Sequence, residues 1–142
     1  MAIQISGTEV ISNSRGLNNI ASVDATTAAS ISAAGVGGGG TYDFVASGAI
    51  SAGNVVALNT AGTVSVVSSS NIANWVGIAT AAISSGATGT VTIFTGTNDQ
   101  QSGLTAGTVY YANTSGGLST SGTYKVGRAI SATEILIEEG NA

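Results

Sequence analysis

"ISAGNVVALNTAGTV" at Ile50–Val64 and "LTAGTVYYANTSGGL" at Leu104–Leu118 align without a gap at an offset of 54 residues. Gly53 meets Gly107, Val55 meets Val109, Asn59-Thr60 meets Asn113-Thr114, and Gly62 meets Gly116. "VGIA" (Val76–Ala79) returns as "VGRA" (Val126–Ala129), shifted by four residues. The unit reads as an apolar-x-x-Gly turn, a strand, an Asn-Thr hairpin with glycine, a strand, a loop and a Val-Gly strand. A fainter copy of its opening, "ISSG", stands at Ile83–Gly86. Two such units around a small core predict a compact barrel or sandwich, because a solenoid needs more copies.

The rest of segment 41–142 carries the same signature. Val55–Leu58, Val64–Val67, Trp75–Ala79, Thr90–Phe94, Val109–Ala112, Tyr124–Ile130 and Ile135–Ile137 are β-branched or aromatic runs. "TVSVV" and "TVTIF" alternate as half-buried strands do. Turns are expected at Thr60–Gly62, Ser85–Gly89, Ser115–Gly117 and Ser121–Gly122. The fold class is therefore all-β, built from two pseudo-repeats.

All seven aromatic residues follow position 41, and the run "GVGGGG" at Gly35–Gly40 precedes it. This predicts an N-terminal arm (1–34), a glycine linker (35–40) and a β domain (41–142). Within the arm, "AIQIS" and "TEVIS" read as short extended pieces around Gly7. "VDATTAASISAAG" reads as a short helix: Asp24 is its N-cap, Val23 a staple onto Ala28, and Gly35 its stop. Ala28, Ile31 and Ala34 share one face of it. A helix of about ten residues is marginal alone in water, so it needs something to pack on. The arm's candidate attachment residues are Ile3, Ile5, Val10, Ile11, Arg15, Leu17, Ile20 and Ile31.

Charged residues make up 7% of the chain, and none occurs from Phe44 to Asn98. An ordinary domain carries about 25%. A neutral Ser, Thr and Asn surface favours association over repulsion, so a homo-oligomer is expected. The net charge is −4, and Arg15, Lys125 and Arg128 are the only basic residues. Nucleic acid is not an expected partner. No stretch is apolar enough for a membrane span and no secretory leader is evident, so neither membrane nor export is expected.

The chain has no histidine and no cysteine, which removes the commonest acid–base, nucleophilic and thiolate-metal constellations. The carboxylates of the body are Asp43, Asp99, Glu134, Glu138 and Glu139. The adjacent pair Glu138-Glu139 reads as a solvated tail, and no spacing supports a Ser–Lys dyad on Lys125. "GVGGGG" contains G-x-G-x-x-G, but a helix precedes it and a strand follows, the reverse of a dinucleotide fingerprint. "TNDQQSG" (Thr97–Gly103) reads as a turn with too few carboxylates for calcium. "NTS" at Asn113–Ser115 reads as a hairpin. Trp75 reads as a core anchor, with a sugar-stacking platform as the alternative. No enzyme activity, metal or cofactor is expected.

The arm resembles the N-terminal segment of many tailed-phage virion proteins, especially marine and cyanobacterial phage tail-fibre proteins. "IQISGTEVI", "SRGLNNI" and "ASVDATTAA" carry that resemblance most specifically. The segment "GAISAGNVVALNTAGTV…WVGIA…AISSGATGTVTIFTG" looks like the small β domains of phage capsid decoration proteins. Ser102–Ile137 is similar to modules of phage fibre-type proteins. The resemblance implies a virion protein assembled in the host cytoplasm. It implies a capsid decoration (cement) protein, commonly a trimer, whose partner is the major capsid protein or another virion structural protein. The alternative is a short tail- or head-fibre component, an adhesin or adaptor. The single body module departs from the tail-fibre pattern of long shaft and receptor-binding tip. An ice- or mineral-binding array would need repeated Thr-x-Thr, and only "TVT" at Thr90–Thr92 qualifies.

Overall fold

The computed structural model describes residues 3–5, 8–11 and 40–138. The chain divides into two compact units, Met1–Gly38 and Gly39–Ala142, with the division inside the glycine run. In the first unit, β1 (Ile3–Ile5) and β2 (Thr8–Ile11) pair antiparallel, with Ile5 opposite Thr8. The helix expected from Asp24 lies outside the described residues.

The second unit consists of two antiparallel five-stranded sheets and, among the described residues, one 3-10 turn at Ile72–Asn74. The first sheet contains β3 (Thr41–Val45), β4 (Val55–Leu58), β5 (Val64–Val66), β6 (Trp75–Ala79) and β7 (Thr88–Thr92), in the order β3-β7-β6-β4-β5. The second contains β8 (Thr97–Asn98), β9 (Val109–Ala112), β10 (Leu118–Ser119), β11 (Lys125–Ala129) and β12 (Ile135–Ile137), in the order β8-β12-β11-β9-β10. The expected runs are all strands, with small shifts at their ends. Thr90–Phe94 moves to Thr88–Thr92, so the turn expected at Ser85–Gly89 ends where β7 begins.

The two sheets are one module used twice. Strand for strand, β3, β4, β5, β6 and β7 occupy the places of β8, β9, β10, β11 and β12. The registers match as well. Val55 opposes Ile78 and Val56 opposes Gly77, as Val109 opposes Arg128 and Tyr110 opposes Gly127. Both ladders then skip one residue, Val76 in the first module and Val126 in the second. A bulge kept at the same place in both copies is a built feature of the module. Gly77 and Gly127 are equivalent for a steric reason. A Cβ on Gly77 would overlap the Thr92 carbonyl oxygen, and one on Gly127 would overlap that of Leu136. "ISSG" at Ile83–Gly86 does not open a third module: Ile83 bridges Ile50, with two hydrogen bonds of 2.8 and 2.9 Å.

Two apolar clusters hold the modules. The first sheet closes on itself, because a parallel bridge from Ala46 to Val64 joins its edges. Inside lie Ala46, Ile50, Val56, Val64, Ala79, Ile83 and Val91. The other face of the same sheet presents Val55, Ala57 and Ile78 to the second sheet, where Tyr110, Val126, Ala129, Ile135 and Ile137 meet them. The fold is thus a small closed sheet with a second sheet laid on its outer wall, combining the barrel and the sandwich that the repeat predicted. A five-stranded module of this size is near the lower limit at which a core sustains a domain. Sharing a wall relieves that limit.

The stacking is head to tail. By the registers above, the inner-face residues Val56, Ala79 and Val91 correspond to Tyr110, Ala129 and Ile135. The inner face of the second module therefore lies against the outer face of the first.

Candidate functional site

Of the candidate attachment residues, Ile3 and Ile5 lie on β1, and Val10 and Ile11 on β2. Arg15, Leu17, Ile20 and Ile31 lie outside the described residues. The body itself has a distinctive end, where the chain enters β3. The carbonyl of Gly40 accepts the Ile93 N–H at 2.7 Å, and the Ile93–Gly96 turn closes with Gly96 N–H to Ile93 O at 2.9 Å. Thr95 in this turn has φ 70°, a conformation a β-branched residue adopts only under constraint. Tyr42 and Phe94 flank the entry and are 60% and 53% exposed. Tyr42 stands 4.8 Å, centroid to centroid, from Phe44, whose ring packs on the inner core. Tyr42 and Phe94 are the two most exposed of the five large apolar side chains left in solvent among the described residues, the others being Val45, Leu58 and Ile130.

The outer face of the second module is different. Glu138 bridges Lys125 at 2.5 Å and Arg128 at 3.3 Å. Arg128 also donates through Nη1 to the Gly107 carbonyl at 2.9 Å. The Lys125 hydrogen bond, aided by both cationic charges and the Arg128 hydrogen bond, outweighs the opposing effect of burial and holds the Glu138 carboxyl below its ordinary value. Glu138 is therefore an ion-pair partner, which corrects its reading as part of a solvated tail. It lies next to β12 and opposite Val126 of β11, to which its N–H donates at 3.0 Å. Glu139 lies outside the described residues. Lys125 is thus placed in this ion-pair cluster.

Thr97–Gly103 is not simply a turn. Thr97 and Asn98 form β8, opposite Leu136 and Ile135, and Asn98 is buried. Its Nδ2 donates to Thr92 Oγ1 at 3.2 Å and to the Ala79 carbonyl at 3.3 Å, both in the first module. Its Oδ1 accepts the Gln100 N–H at 3.1 Å. A polar residue read as a solvent loop is thus a buried tie between modules, tolerated because both ends of its amide are paired. Asn113 caps its hairpin, accepting the N–H groups of Ser115 and Gly117 at 2.9 and 3.0 Å.

Trp75 packs against the shared core from its edge and is partly exposed, with Leu58, Asn59 and Asn74 around an open groove. Its indole N–H is enclosed without a hydrogen-bond partner among the described residues. Among the described residues no three acidic, His or Cys side chains gather as a metal site, and no helix is long and apolar enough to cross a membrane. No protein-family model matches the chain, and no curated protein matches it.

Proposed function

We propose that this protein is a bacteriophage virion structural protein, a capsid decoration subunit that attaches by its N-terminal arm and projects the two-module β body. The observation that carries the reading is the division at Gly38/Gly39 between an arm with apolar residues and a separately compact body. The phage resemblance of "IQISGTEVI" and "SRGLNNI" supplies the setting. Tyr42 and Phe94, exposed where the arm leaves the body, belong to the attachment surface in this reading. The body also suits a subunit that does not extend into a fibre. Head-to-tail modules grow into fibres unless the ends are closed. Here one end is sealed by Ile50 and Ile83, and the other carries the Lys125–Glu138–Arg128 cluster.

Association of the subunits follows from the same features. The neutral wall offers little repulsion, and the exposed aromatics gain from burial. The trimer is taken from the resemblance; the partners are other copies and the major capsid protein or another virion structural protein.

The test is occupancy of purified virions. Quantitative mass spectrometry is expected to find hundreds of copies per particle, scaling with the major capsid protein; a handful of copies assigns the chain to a fibre or tail part. A chain truncated to Gly39–Ala142 is expected to fold yet fail to bind particles lacking the protein. Particle binding at the full-length level by that truncated chain rejects the arm's role.

A further inference from the structure

Where the two modules meet, Ala52–Asn54, Gln100–Leu104 and the hairpin Gly116–Leu118 enclose a cleft of about 280 Å³. The hairpin is held there by a hydrogen bond from Val55 N–H to the Gly116 carbonyl, 2.8 Å. A side chain at Gly116 is barred twice: its φ is 82°, and a Cβ would overlap Val66. No charged side chain lines the cleft. Leu104, Tyr110 and Leu118 give it apolar surface, and the Tyr110 hydroxyl accepts the Thr105 N–H at 3.0 Å.

Gln101 and Asn54, the partly buried polar side chains around that surface, are oriented by hydrogen bonds that use only half of each amide. Gln101 donates through Nε2 to the Gly53 carbonyl at 3.0 Å and to Asn98 Oδ1 at 3.4 Å, which orients its Oε1 without engaging it. Gln100 donates to Asp99 Oδ1 at 2.6 Å, again leaving Oε1. Asn54 accepts the Ser51 N–H at 3.0 Å on Oδ1, which leaves the two donors of Nδ2. The Ser102 hydroxyl, able to donate and accept, has no partner among the described residues. The corresponding place in the second module is closed: the carbonyl equivalent to that of Gly53 belongs to Gly107 and is taken by Arg128. The cleft arises only because one module was laid on another.

We propose that this cleft binds a neutral saccharide. A charged ligand would lose its hydration with no counter-charge to replace it. A purely apolar ligand would bury the Gln, Asn and Ser groups unpaired. A sugar ring meets both demands, with C–H faces for Leu104 and Leu118 and hydroxyls that donate to the Gln oxygens and accept from Asn54. The volume lies just below the range of drug-sized ligand sites, which begins at about 300 Å³, and suits a mono- or disaccharide. The proposal is independent of the arm, so its failure leaves the virion reading standing.

The test is a titration of the isotope-labelled full-length protein with glucose, galactose, N-acetylglucosamine and maltose, followed by amide chemical shifts to tens of millimolar. At least one sugar is expected to give saturable shifts at Gly53, Ser102, Gly103 and Gly117, while glucuronate gives none. Ser102→Trp, placed at an exposed position, is expected to fill the cleft and abolish the shifts with an unchanged melting temperature. Asn54→Ala is expected to weaken binding about tenfold, the loss of one hydrogen bond to a neutral partner. Absence of saturable shifts with all four sugars overturns the proposal. So do shifts centred elsewhere, equal binding of glucuronate, or undiminished binding by folded Ser102→Trp.

Discussion

The first module is buried on both faces and the second on one, although they share strand order, register and bulge. In β4, "VVAL", three consecutive residues are fully buried: Val55 and Ala57 face the second sheet, and Val56 faces the closed interior. In the equivalent β9, "VYYA", only Tyr110 and Ala112 are buried, while Val109 and Tyr111 are partly exposed. A strand between two packed layers reads as a continuous apolar run, and one at a surface alternates. The same difference recurs across the module. Ile78, with no exposed surface, becomes Arg128, and Trp75 becomes Lys125. One backbone thus carries two surface chemistries, set by what lies against its outer face.

The largest expected effect comes from exchanging those chemistries. Ile78→Arg puts the second module's residue into the shared core, whose buried members include no carboxylate. It is expected to cost about 4–5 kcal/mol, enough to leave the chain unfolded by circular dichroism. Arg128→Ile, the reverse change, is expected to alter stability by less than about 1 kcal/mol, as surface changes do. Similar losses from both would show that the two outer faces are not as different as their burial indicates.

Gly77→Ala and Gly127→Ala sharpen the likeness instead. Each Cβ would overlap a backbone carbonyl at the same point of the module, so each is expected to destabilise by about 2–4 kcal/mol. Denaturant melts that separate the two by more than about 2 kcal/mol would argue that the modules bear strain unequally. Trp75→Ala is expected to cost about 2–3 kcal/mol, below the loss for a fully buried Trp, because the ring is only partly covered. Lys125→Ala, at the equivalent site, is expected to cost under about 1 kcal/mol.

The smallest effect is electrostatic. The Glu138 carboxyl is held below its ordinary value of 4.5, chiefly by the Lys125 hydrogen bond. Its contribution is therefore fully present above that value and is lost as pH falls through the lowered folded-state value. Wild type minus Glu138→Gln stability is expected to be a few tenths of a kcal/mol at neutral pH and to vanish on acidification through that window. A difference that grows on acidification contradicts the sign.

The repeat was legible because its signals are local. Gly53 and Gly107, Gly62 and Gly116, and the hairpin asparagines recur where a turn demands them, and the Val-Gly strands recur where a bulge does. The strand entering the body after the glycine run was expected for the same reason. β8 was not. Thr97 and Asn98 are polar, and their two-residue strand exists only because β12 offers a partner. Asn98 is buried only because Thr92 and Ala79 of the other module satisfy it. Glu138 likewise read as a tail, since its partners lie ten and thirteen residues away across a sheet.

Composition, glycine placement and the offset of 54 residues thus determined an all-β body of two like modules, because turn chemistry and strand periodicity act over a few residues. Which face of each module would be dry was decided only by tertiary packing. "VVALNT" and "VYYANT" differ at three positions, but each difference exchanges one apolar or aromatic residue for another. Val55 is fully buried and Val109 is not because one wall receives a second sheet and the other meets water. The cleft between Gly53, Gln101 and Gly116 belongs to that same level. Its groups come from three separated segments, and head-to-tail stacking alone brings them together.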